Sequence, residues 1–137
     1  EIIMAKIRFE AGEADSTFRG TADGFQVIVD RGEVGKPRSV DLLLLGLGSC
    51  TISTVNHYVR RKDLPIEQVA VEVSADLDEQ QNCYENIRVT LLLGDAFSAA
   101  DRKTLANVAK TCRIHKTLVS NPEVTVTVAE KAGAETA

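Results

Sequence analysis

The chain has 137 residues, 44% hydrophobic and 26% charged, with 20 acidic side chains against 16 basic ones. That length fits one domain over residues 1–137, large enough to bury roughly two thirds of its unfolded surface. A net charge of −4, with the lysines and arginines dispersed, argues against a nucleic-acid partner, because phosphate contacts need basic residues in concentration.

Residues 3–10 alternate, with Ile3, Ala5, Ile7 and Phe9 on one face and charged residues or Met4 on the other, which is strand periodicity. The same opening lacks the basic, apolar and small-residue regions of a secretory signal. "STFRGT" and "FQVIVD" flank Asp23-Gly24 and read as a hairpin. A flexible loop is expected over 31–38. Ser39 then opens a helix predicted to run to about Lys62, with Asp41 in its first turn and Pro65 beyond its end. Its first half, "LLLLGLG", is apolar on every side, so the helix is expected to be buried all round. Gly46 and Gly48 each cost about 1 kcal/mol there relative to alanine, which points to close approach by another backbone. No uninterrupted apolar run reaches about 18 residues, so no membrane span is expected.

"EQVAVEVSADLD" and "ENIRVTLLL" alternate again and form an antiparallel pair across "DEQQNCY", which places Cys83 in a turn. Ser98 and Asp101 form a capping box for a helix whose buried face carries Leu105, Val108, Ala109 and Cys112. "EVTVTV" is a closing strand, and about 131–137 is a frayed tail. The order β-β-β-α-β-β-α-β is an α+β fold with antiparallel sheets. One subunit offers a sheet to only one face of the long helix, so a partner subunit is expected to cover the rest.

There is no phosphate loop, paired-histidine metal motif or nucleophile-elbow serine. Cys50, Cys112, His57, His115 and a few arginines remain. Three cysteines, an odd number, do not make a disulfide scaffold and suit a reducing cytoplasm. On a helix Cys50 and His57 lie roughly 10 Å apart along the axis, too far to share a zinc ion. Cys112 and His115 alone make an incomplete metal site.

"SVDLLLLGLGSC", followed by "CRIHKTL" with its cysteine 62 residues after Cys50, resembles the OsmC/Ohr family of osmotically inducible and organic hydroperoxide resistance proteins. The resemblance covers nearly the whole chain. It implies an interwoven homodimer with active sites at the subunit interface and two long helices packed back to back. It also implies a thiol peroxidase without metal or other cofactor. Cys50 would attack an organic hydroperoxide, Cys112 would resolve the sulfenic acid as a disulfide, and a dithiol such as a lipoylated protein would reduce it. Cys50 lies about 16 Å into its helix, beyond the reach of that helix's dipole, and burial raises a thiol pKa, so a cation is required. Arg19 stands in the region where peroxidase members place an activating arginine.

Two positions depart from the peroxidase pattern. Val40 occupies the place of a glutamate that holds this arginine, with Asp41 the nearest acid. Arg113 replaces the common proline after the second cysteine, and could extend the helix or supply a cation. Two other readings keep the fold: a non-catalytic protein holding a small hydrophobic ligand, favoured by Val40, and a thiol redox sensor, compatible with the cysteine pair.

Overall fold

The computed structural model describes residues 4–14, 16–30 and 35–131. Its first sheet has three antiparallel strands in sequence order, β1 (Arg8–Ala11), β2 (Thr17–Ala22) and β3 (Phe25–Asp30). The β2–β3 hairpin turns at Asp23-Gly24 as expected; Gly24 has φ 87°, which glycine adopts without a Cβ clash. β1 starts later than the alternation over 3–10 suggested, leaving Met4 and Ile7 exposed before the ladder, and Ile3 lies outside the described residues. The loop expected over 31–38 is described only from residue 35.

The second sheet is the expected antiparallel pair, β4 (Val69–Asp78) and β5 (Cys83–Leu93). Cys83 is exposed, but it is the first residue of β5, paired with Asp78, rather than a turn residue. A short 3₁₀ turn, Ile66–Gln68, leads into β4. Three helices complete the described elements: α1 (Ser39–Arg61), α2 (Ala99–Ala109) and α3 (Arg113–Val119). The fold is α+β with antiparallel sheets.

α1 is close to its predicted span, but its cap differs. Ser39 is already helical and Arg38 is the N-cap. Asp41 accepts the Arg38 backbone N–H at 2.9 Å and the Arg38 guanidinium at 3.2 and 3.3 Å. A third-position carboxylate satisfies an orphan amide and meets the positive helix end, so Ser39 is not needed as a cap. These bonds hold the Asp41 carboxyl below its ordinary pKa and raise that of Arg38.

Within one chain α1 buries a single stripe, Leu47, Thr51, Val55 and Val59. Leu43 is exposed and Leu45 is 63% exposed, so the other faces of the helix stay uncovered within the single chain. β4, α2 and α3 pack on α1 but do not encircle it. By length and hydropathy α1 could also cross a membrane, which a search for uninterrupted apolar runs missed. Thr54, Asn56 and His57 interrupt its apolar surface, and along its one buried stripe it packs against β4, α2 and α3. Val55 and Val59 meet Phe97 and Leu105 in the core, flanked by Val69, Leu91 and Leu93.

The capping box of α2 is present: Asp101 N–H donates to Ser98 Oγ at 3.0 Å, and Ser98 N–H to Asp101 Oδ2 at 3.1 Å. The helix stops at Ala109, which corrects the placement of Cys112 on its apolar face. Thr111 turns its hydroxyl back onto the Val108 carbonyl at 2.7 Å, competing locally with helix bonding. Cys112 takes an extended ψ of 138° and caps a separate helix, α3. The expected closing strand also fails to form a ladder. Val124, Val126 and Val128 are 82%, 90% and 97% exposed, because among the described residues no strand of this chain pairs with them. Of the expected tail, residues 132–137 lie outside the described residues.

Candidate functional site

α1 and α3 bring Cys50 and Cys112 together. Leu47 anchors the buried stripe of α1, and one turn later Cys50 emerges half-buried beside it. Cys112 is only 1% exposed, and its sulfur accepts the His115 N–H at 3.4 Å as the cap of α3. Both thiols are free.

Burial is the largest single influence on Cys50 and pushes its thiol up. Hydrogen bonding from the Cys112 side chain and from the backbone N–H groups of Ile114 and Arg113 acts the other way. With a smaller contribution from Thr54, these groups prevail and hold the thiol below its ordinary pKa. The Thr54 proton itself goes to the Cys50 carbonyl at 2.8 Å, so the sulfur-directed donors carry more weight. A thiol favoured as thiolate, next to a second thiol, can be oxidised to a sulfenic acid and then condense to a disulfide.

The distance argument against the α1 dipole stands, but the site has other donors. Sequence reasoning missed the α3 amides, because the apolar spacing that puts Cys112 on the preceding helix gives no sign of a new helix start at Arg113. Arg113 takes part through its backbone N–H, while its side chain is exposed. Arg19 lies half-buried on β2, opposite Glu10 and Ile28, and is not among the groups acting on Cys50 in this chain. Asp41 is bound to Arg38 at the start of α1, about 13 Å along the axis from Cys50. Val40 sits in that same first turn. His57 is exposed on α1, and Cys83 belongs to the distant end of the β4–β5 hairpin.

Two clefts flank the core. The larger, about 710 Å³, runs between β5 and the α2–α3 pair and reaches Leu47 and His115. The smaller, about 610 Å³, lies between α1 and β4 around Gly48, Val71 and Val73. Neither includes Cys50 itself, although Leu47 precedes it by one turn and His115 lies one turn beyond Cys112. The chemistry therefore rests on the contacts of the thiols, with an apolar cleft nearby.

Several solved structures share the architecture. An OsmC-like protein from Mycoplasma pneumoniae superposes with a TM-score of 0.73 at 23% identity, covering 93% of this chain and 96% of that one. The organic hydroperoxide resistance protein OhrB of Bacillus subtilis gives 0.58 at 20% identity, covering 87% and 93%. An organic hydroperoxide resistance protein OsmC from Legionella pneumophila gives 0.53 at 17% identity, covering 88% and 93%. No curated protein sequence matches the chain. The family model for OsmC-like proteins matches residues 31–127, a segment that holds α1, β4, β5 and all three cysteines, and on that match the chain belongs to the OsmC-like protein family.

Proposed function

We propose that the protein is a cysteine-based reductase of organic hydroperoxides, acting in oxidative stress defence in a reducing cytoplasm. The observation that carries this reading is the contact of Cys50 with buried Cys112, under donors that favour the Cys50 thiolate. The Cys50 thiolate attacks the terminal peroxide oxygen. The O–O bond breaks, the alkoxide takes a proton and leaves as alcohol, and Cys50 becomes a sulfenic acid. The Cys112 thiol then displaces water to form the disulfide. An external dithiol, for which a lipoylated protein is a candidate, returns both thiols and is itself oxidised.

The working form in this proposal is an interwoven homodimer. Leu43 and Leu45 on α1 and the three exposed valines of 124–128 are candidate buried surface. In this arrangement Arg19 would reach Cys50 from the partner's first sheet, since its own sheet is not packed on its own α1.

Stopped-flow oxidation of the reduced protein tests the reading. Cumene hydroperoxide should react at least about tenfold faster than hydrogen peroxide, because apolar walls favour the organic substrate. Equal, slow reaction with both would remove the enzymatic reading.

A further inference from the structure

The surface around Cys112 carries charge of one sign. Residues 102–122 hold five lysines and arginines and no acid, although the protein has 20 acidic side chains and a net charge of −4. Arg102 is tied to the carbonyls of Leu93, Gly94 and Phe97. The other four are exposed: Lys103 on α2, Lys110 at its C-cap, and Arg113 and Lys116 three residues apart on α3. None of them has an acidic partner among the described residues.

Helix stability accounts for only part of this charge. Lys110 and Lys116 stand at the negative ends of their helices, where cations are favourable. Arg113 is the first residue of α3, where the helix dipole disfavours a cation. Lys110, Arg113 and Lys116 all lie within four residues of Cys112, so the patch is centred on that thiol. Lysine is depleted at the core of protein interfaces, so such a face suits a transient charged contact better than the seat of a second copy. On a protein that is negative overall, a local cationic patch also orients an acidic visitor as it approaches.

We propose that this face docks the carrier of the reducing dithiol, a protein whose surface around its dithiol is acidic, and thereby selects the reductant. The inference rests on the reading of Cys50 and Cys112 as a redox pair. Cys50 is half-buried and Cys112 only 1% exposed, so Cys50 is the sulfur open to attack. A carrier thiolate bonds to the Cys50 sulfur, the Cys50–Cys112 bond breaks, and Cys112 leaves as thiolate. The second carrier thiol then displaces Cys50. The carrier retains a disulfide, and its two protons pass to the two cysteines. A small neutral dithiol can make the same exchange but gains nothing from the patch.

The test starts from full-length protein oxidised with diamide, which makes it independent of peroxide reduction. Reduction of the disulfide is followed by acid quench, alkylation and intact mass. The reductants are dihydrolipoamide and three peptides, each with a dihydrolipoyl-lysine flanked by four glutamates, four glutamines or four lysines. At low salt the glutamate peptide should react at least about tenfold faster than the glutamine peptide, and the lysine peptide slowest. At 1 M salt, where the screening length is about 3 Å, the differences should fall below about twofold. Lys110→Glu combined with Lys116→Glu should reverse the order of the glutamate and lysine peptides. The same variant should keep the dihydrolipoamide rate and the sedimentation coefficient of the parent. Equal rates for the three peptides, or an unaltered order in the variant, would overturn the proposal. So would loss of the dimer in the variant, which would show the face to be an interface between copies. Retention by phosphatidylglycerol vesicles with equal peptide rates would assign the patch to a membrane surface and overturn it too. Failure of diamide to join Cys50 and Cys112 would remove both this inference and the redox reading. Sluggish peroxide reaction with the charge preference intact would remove only the peroxidase.

Discussion

Gly46→Ala changes stability with opposite sign in a lone subunit and in a dimer packed through α1. In a solvent-facing helix position alanine is about 1 kcal/mol more favourable than glycine. A Cβ built at Gly46 meets nothing within 4 Å inside one chain, so a lone subunit should gain that amount. If the face bearing exposed Leu45 and half-buried Gly46 packs against a second α1, the added methyl instead enters a close helix contact. Overpacking of that kind costs about 1–3 kcal/mol and more than offsets the gain in helix propensity. Gly48 gives no such contrast, because its Cβ would already meet Val73 Cγ2 at 3.3 Å. The assay is urea unfolding of parent and Gly46→Ala at two protein concentrations, with sedimentation velocity alongside. The proposed dimer requires a lower midpoint and weaker association in the variant. A gain of about 1 kcal/mol with unchanged sedimentation would refute back-to-back packing of the long helices.

Leu105→Ala removes a fully buried core side chain and should cost about 2–5 kcal/mol by chemical denaturation; a loss under 1 kcal/mol would contradict the assigned core. Ser98→Ala deletes the α2 cap and should cost about 1 kcal/mol, read from the same unfolding curves. The folded-state pKa of Cys50 is depressed, so its ionisation contributes stability above the unfolded thiol pKa, and that contribution is lost as pH falls through the folded value. Iodoacetamide labelling of Cys50 should accordingly reach half its maximal rate at lower pH than labelling of a free cysteine peptide. In the dimer, Arg19→Ala should move that midpoint upward and slow peroxide reduction; an unmoved midpoint would exclude Arg19 from thiol activation. Cys112→Ser should leave Cys50 able to take one oxygen, detected by intact mass, without forming a disulfide.

Much of the architecture was legible because its signals are local. Asp23-Gly24 specifies a hairpin by the φ that glycine permits, and Ser98 with Asp101 specifies a helix start through two short-range bonds. The cysteine pair was legible only through motif and spacing together. What escaped the sequence depends on competition or on distance. Thr111 and Cys112 break a helix whose apolar spacing runs on as far as Cys112, so the α3 amides that bear on Cys50 were hidden. Arg38 displaced Ser39 as cap because Asp41 could hold both its amide and its guanidinium. The alternation of Val124, Val126 and Val128 marks an apolar face but cannot say which strand, or whose, would pair with it. In the same way, the greasy first half of α1 calls for cover that a single chain does not contain.

Peptide mapping of the reduced protein after one equivalent of cumene hydroperoxide tests the central claim most directly. The account predicts one intramolecular disulfide joining Cys50 and Cys112, with Cys83 still reduced. A disulfide that includes Cys83, or Cys50 recovered unmodified, would contradict it.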